Sequence, residues 1–154
     1  MPLTEAFCGL VCTATDERYD ATATGDSDAG ARLKPDYDYD AVAWTDDGLA
    51  ATPRSMWRYG DLLAFEDPVT AGEGGTPLVD ATALAADAGV GDLSIKDESR
   101  NPTGTVLDRG LSAAVTAARE ADAELVALAT PGNAGQSAAA YAGSAGNRSY
   151  AFVP

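Results

Sequence analysis

Two short stretches carry residue types that bind anions or move protons. Residues 101–110 read NPTGTVLDRG. Asn101, Pro102, Thr103 and Gly104 form a turn signal, because proline presets one backbone angle and glycine accepts the reversed one. A charged pair, Asp108 and Arg109, follows. Between turn and pair stands Leu107, at a place where covalent or proton-transfer chemistry would need an amine. The second stretch, 130–135, reads TPGNAG. Gly132 and Gly135 let backbone approach a ligand closely, and the Asn133 amide can hydrogen-bond a phenolate or carboxylate. With Gly132 and Asn133, Ala134 makes up the candidate binding loop.

Both stretches lead into predicted helices, whose first N–H groups lack partners within the helix and favour anions. A plainer reading stands beside this one. Thr103 or Thr105, and Asn133, are good N-caps, and glycines are common in capping turns. Neither stretch matches the dinucleotide or P-loop fingerprints. Cys8 and Cys12 are the only cysteines, and the chain has no histidine. One C-x3-C pair is at most half of a tetrahedral metal site, so no metal is expected and buried or free thiols are.

The elements that must position these loops follow from the apolar pattern. Helix 81–89, closing on Gly89, leads to strand 92–98, and helix 105–121 follows the NPTG turn. Strand 123–130 then leads through the PGNAG loop to helix 136–146 and strand 148–154. Helices alternating with short apolar strands predict an α/β fold of right-handed βαβ units on a parallel sheet. Ligands of such sheets gather beyond the strands' carboxyl ends, where both loops lie. Upstream, Ser55 is a candidate N-cap for a short amphipathic helix bearing Trp57, Leu62 and Leu63, and 71–78 is a glycine turn running into an extended segment.

Residues 1–50 differ from the rest. The apolar stretches FCGLVC and AVAW (41–44) flank the polar segment 13–40, which predicts a small β-rich appendage before the α/β domain at 51–154. Tyr37 and Tyr39, alternating with aspartate, fit an exposed strand edge or a solvated acidic loop equally. The final strand has nothing after it to cover it, so the α/β part is either a small complete domain or the front of a larger one. An uncovered strand of this kind recruits partners, a second copy or a complementing chain.

Lysine and arginine total 10 against 24 acids, a formal charge of −14. Such a charge repels nucleic acid and anionic membranes. No apolar run reaches a membrane span and no basic leader opens the chain, which predicts a cytoplasmic protein. The only lysines are Lys34 and Lys96, aspartate predominates among the acids, and alanine is abundant. That balance suits a protein working in concentrated salt, which screens its self-repulsion.

SMWRYGDLL, GEGGTPL, IKDESRNPTGTVLDRG, TPGNAGQSAAAYAGSAG and AFVP run in the order and spacing of the threonine synthase family. These are fold type II pyridoxal-phosphate (PLP) enzymes, related to cysteine synthase and threonine dehydratase. The resemblance covers residues 55–154. It implies PLP as cofactor, held by a lysine in the motif NPTGSFKDRG, and release of phosphate from O-phosphohomoserine to make threonine. It implies that Asn133 contacts the cofactor's phenolic oxygen, and that the phosphate loop lies later in the chain than residue 154. Aligned residue by residue, Thr105 replaces serine, Val106 replaces phenylalanine and Leu107 replaces the lysine. Lys96 matches a separate lysine on the preceding strand, and Pro131 stands for a small polar residue. Many relatives begin with a zinc ribbon of two CxxC pairs ending like YDYDAV. Here YDYDAV stands at 37–42, but the first pair is spaced Cys8–Cys12 and Ala29-Gly30 lies near the place of the second. The chain alone is therefore expected to be catalytically silent. The other reading is a module binding an amino acid or PLP, or pairing with a partner chain.

Overall fold

A computed structural model describes residues 3–21, 23, 25–42 and 44–154. The expectations touching Met1, Pro2, Thr22, Thr24 and Ala43 lie outside the described residues. The chain divides into two compact units, one running to Thr52 and including Trp57–Pro68, the other comprising Pro53–Met56 and Val69–Pro154.

In the first unit, β1 (Phe7–Cys12) lies between β2 (Arg18–Tyr19) and β3 (Leu33–Tyr37), antiparallel to both. Gly9, at φ +110°, takes up a register shift in the β1–β3 pairing between Phe7 and Gly9. The Phe7 and Tyr37 rings close the pair at 5.5 Å between centroids. Tyr37 therefore ends a strand, whereas Tyr39 belongs to an exposed 3-10 turn. Helix α1 (Asp46–Ala51) is capped by Thr45, whose hydroxyl accepts from Gly48 N at 3.0 Å. The helix expected after Ser55 is instead a 3-10 segment, Met56–Leu62, kinked at Tyr59. Gly60 in its midst weakens any α-helical run there.

The second unit holds β4 (Leu78–Asp80), α2 (Thr82–Ala88), β5 (Ser94–Lys96), α3 (Leu107–Glu120), β6 (Leu125–Ala129), α4 (Asn133–Ala145) and β7 (Arg148–Phe152). Among the described residues the parallel βαβ pattern holds at β6–α4–β7, where Leu125 pairs with Arg148 and Ala129 with Phe152. β4 and β5 pair antiparallel, contrary to the expected parallel sheet. Their connecting helix α2 buries only Ala85, so it offers no apolar stripe to lie across a sheet face. Gly89 ends α2 in the left-handed conformation, as the sequence predicts.

The core forms where α3 meets α4. Val69, Val115 and Tyr141 are its centre, with Leu111, Val126 and Ala145 packed around them. Ala138 and Ala142 on α4 are fully buried, and such small side chains let the two helices approach closely. Gly135 seats α4 on its sheet, since an added Cβ would come within 2.9 Å of Thr130 Cγ2 and 3.0 Å of Ala151 Cβ.

Candidate functional site

The NPTG turn is held from both of its ends. Gly104, at φ +78°, donates its N–H to Asn101 O at 2.8 Å, closing the turn. Asp108, buried in the first turn of α3, accepts from Thr103 N at 2.7 Å and also from the Thr103 hydroxyl. Thr105 accepts from Leu107 N at 3.3 Å, so α3 begins at Leu107, two residues later than the pattern predicts.

Asp108 and Arg109, adjacent in sequence, serve different partners. Arg109 grips Glu98 with two nitrogens, Nε at 2.9 Å and a terminal nitrogen at 2.8 Å. Glu98 also accepts from Thr76 Oγ1 at 2.8 Å and Asn101 Nδ2 at 2.7 Å. The Arg109 guanidinium and these donors hold the Glu98 carboxyl at about 2, well below the ordinary glutamate range. Asn101 reaches onward, accepting from Gly74 N at 2.9 Å. Gly74 has to be glycine. Its φ is +86°, and a Cβ would lie 2.7 Å from the Arg109 side chain and 2.8 Å from Met56 N.

Beside this loop, Glu73 is fully buried and ties three elements together. It accepts from Ala71 N at 2.9 Å, from Ser112 on α3 at 2.5 Å and from the Tyr141 hydroxyl on α4 at 2.8 Å. Burial alone would raise its pKa, but these donors outweigh it and keep the carboxyl below its usual range. The Tyr141 phenol is pushed up, first by burial and then by Glu73.

The cleft that results is an open one of about 380 Å³, lined by Leu107, Thr130, Pro131, Gly132, Asn133 and Ala134. The structure thus brings Leu107 together with the three candidate binding residues. Asn133 is the first residue of α4 rather than its cap, because the helix starts three residues earlier than expected with Gly132 before it. Thr130 accepts from Gly132 N at 3.1 Å, and Gln136 Nε2 reaches Thr103 O at 3.5 Å, tying the two loops together. Leu107 is 40 % exposed and forms the apolar wall. Lys96 does not line the cleft; its Nζ donates to Thr76 O at 2.8 Å.

Sequence reasoning passed over Thr130, Glu73, Glu98 and Tyr141. A glutamate flanked by glycines in GEGG was the available signal for Glu73, since a charged residue there is either solvated or held by the fold.

Both cysteine thiols are free. Cys8 is exposed, and Cys12 is buried with its thiol 3.1 Å from Ser27 Oγ. The Ser27 and Thr15 side chains lower the Cys12 thiol to about 7. Among the described residues no three His, Cys, Asp or Glu side chains gather as a metal site. Among them, too, no helix is long and apolar enough to cross a membrane.

The β6–α4 loop and the first residue of α3 line one cleft, and a family comparison says to which class the chain belongs. Residues 69–154 match the pyridoxal-phosphate dependent enzyme family, and the chain belongs to it. It is similar to the threonine synthase of Methanosarcina acetivorans, at 40 % identity over 71 % of this chain and 27 % of that protein. The threonine synthase of Methanocaldococcus jannaschii is 34 % identical over 82 % of this chain and 33 % of its own length. That of Mycobacterium tuberculosis is 43 % identical over 66 % and 29 % respectively. The chain spans about a third or less of the length of these relatives.

The donor set of the cleft tests the fit to the family's cofactor. It offers a hydroxyl (Thr130), an amide (Asn133) and the backbone of α4's first turn, but no amine. An isobutyl group can neither bond an aldehyde carbon nor carry a proton. The cleft does not fit covalently held pyridoxal phosphate.

Proposed function

We propose that this chain is a threonine synthase-type member of the pyridoxal-phosphate family whose cleft has lost its covalent and proton-transferring group. One observation carries the reading: Leu107 stands in the cleft with Gly132, Asn133 and Ala134, at the position the NPTGSFKDRG motif gives to lysine. Everything that positions residue 107 belongs to other residues, namely Asp108, Thr103 and Thr105. The frame is kept while the reacting group is absent. By itself the chain then performs no synthase turnover on O-phosphohomoserine, because a base and a nucleophile each contribute roughly 100-fold or more to such rates. The degenerate ribbon reading of residues 1–50, with no metal at Cys8 or Cys12, belongs to the same proposal.

The test is chemical trapping in molar KCl. Wild-type chain is incubated with pyridoxal phosphate, reduced with borohydride and mapped by mass spectrometry, beside Leu107→Lys. The expected result is no adduct at the cleft in wild type and a single new adduct at position 107 in the variant, with its absorbance band. A wild-type adduct confined to Lys96, or threonine formed from O-phosphohomoserine by wild type, would overturn the proposal.

A further inference from the structure

The first unit holds a pocket lined by two opposite charges that have no protein partner. Arg58 and Asp61 lie three positions apart in the Met56–Leu62 segment, and 3-10 geometry brings such residues to one side. With α1 and its flanks, at Trp44, Thr45, Leu49 and Thr52, they enclose about 150 Å³. Both charged residues are half-buried. Arg18, Arg100, Arg109, Arg119 and Arg148 each hold a carboxylate. Among the described residues Arg58 holds none. One of its terminal nitrogens donates to Leu49 O, its guanidinium lies 5.7 Å from the centre of the Tyr59 ring, and its Nε is shielded without an acceptor. The Asp61 side chain likewise has no ion pair or hydrogen bond among the described residues. The two share the pocket yet stand too far apart to pair with each other.

Half-buried charges need a partner, and two of opposite sign held apart at one pocket suit a ligand that carries both. The wall is built to keep them there. Leu49 O accepts from Arg58 and also from Thr52 Oγ1 at 2.9 Å, which anchors the guanidinium. Thr45 Oγ1 accepts from Gly48 N at 3.0 Å and keeps its own hydrogen as a further donor. The Trp44 ring, tilted on Tyr59 at 5.3 Å between centroids, joins Leu49 in an apolar wall. We propose that this pocket binds a small α-amino acid as its zwitterion, carboxylate towards Arg58, ammonium towards Asp61 and side chain against Trp44 and Leu49. A simple anion would meet Asp61 and the chain's charge of −14, and a simple cation would meet Arg58. A zwitterion has no net charge, so concentrated salt does little to its approach.

The test is calorimetric titration and the melting temperature of the full chain in molar KCl, with L-alanine, propionate and propylammonium as probes. L-Alanine is expected to bind saturably and to raise the melting temperature as its concentration rises. Propionate and propylammonium, each carrying one of the two charges, are expected to bind roughly tenfold more weakly or worse. Asp61→Asn, which keeps the shape, should weaken L-alanine by a similar factor and strengthen propionate. Arg58→Gln should abolish binding of L-alanine and propionate alike. If it also disturbs folding, Asp61→Asn decides. No saturable binding of L-alanine, propionate bound as tightly as L-alanine, or undiminished L-alanine binding by Asp61→Asn overturns the proposal. So does loss of binding in Asn133→Ala with Asp61→Asn unaffected, which would put the amino acid in the cleft of α3 and α4 instead.

Discussion

Glu98 gathers a guanidinium, a hydroxyl and an amide onto one carboxylate, and so joins the glycine loop to the start of α3. Its folded pKa of about 2 lies below the ordinary 4.5, so its contribution to stability is complete above about pH 4.5 and disappears as pH falls towards 2. Wild type should therefore unfold more readily in urea at pH 3 than at pH 7. Glu98→Gln should be less stable than wild type at pH 7, with the gap narrowing as pH falls through that window. A gap independent of pH would sink the assignment. Asp108 is a quieter case, sealed against Thr103. The sequence marks Asp108 and Arg109 as a charged pair, yet it does not carry their destinations, because partners at 98 and 103 are chosen only once the turn has closed. Leu107, by contrast, is legible from the motif alone, as is its grouping with Asn133. Glu73 was hidden because its donors sit on two helices 39 and 68 positions away.

At the scale of elements, α4 is the piece on which the cleft depends, and Gly135 sets its height above the sheet. Gly135→Ala raises helix propensity but forces a methyl against Thr130 and Ala151. Overpacking of this kind typically costs about 1–3 kcal/mol, offset by up to about 1 kcal/mol from the better helix former. A lower urea midpoint with unchanged helix content is the expected outcome; a raised midpoint would mean that the sheet gives way freely. Helices α2, α3 and α4 and the β6–α4–β7 unit were readable in the apolar pattern, and Gly89 marked its helix end correctly. The starts of α3 and α4 differ from the pattern because the cap positions fall on Val106 and Gly132, whose side chains accept nothing, rather than on a threonine or Asn133. The antiparallel β4–β5 pair was unreadable, since three-residue strands carry too little alternation to fix direction.

For the whole molecule, the charge of −14 sets the conditions under which any of this can be observed. Debye screening shortens from about 10 Å at 0.1 M salt to about 3 Å at 1 M, so molar KCl silences most of the self-repulsion. The melting temperature is expected to fall on dialysis from molar KCl into dilute buffer. Indifference of the melting temperature to salt would remove the halophilic reading. The acidity was plain in composition.

The clamp around residue 107 has an implication for how such a chain is inherited. Thr103, Thr105 and Asp108 fix the backbone there without consulting the side chain that position 107 displays. A substitution at 107 is therefore expected to change the chemistry of the cleft while leaving the fold in place. The same indifference makes the position a socket, into which one codon change is expected to bring an amine with the local backbone undisturbed.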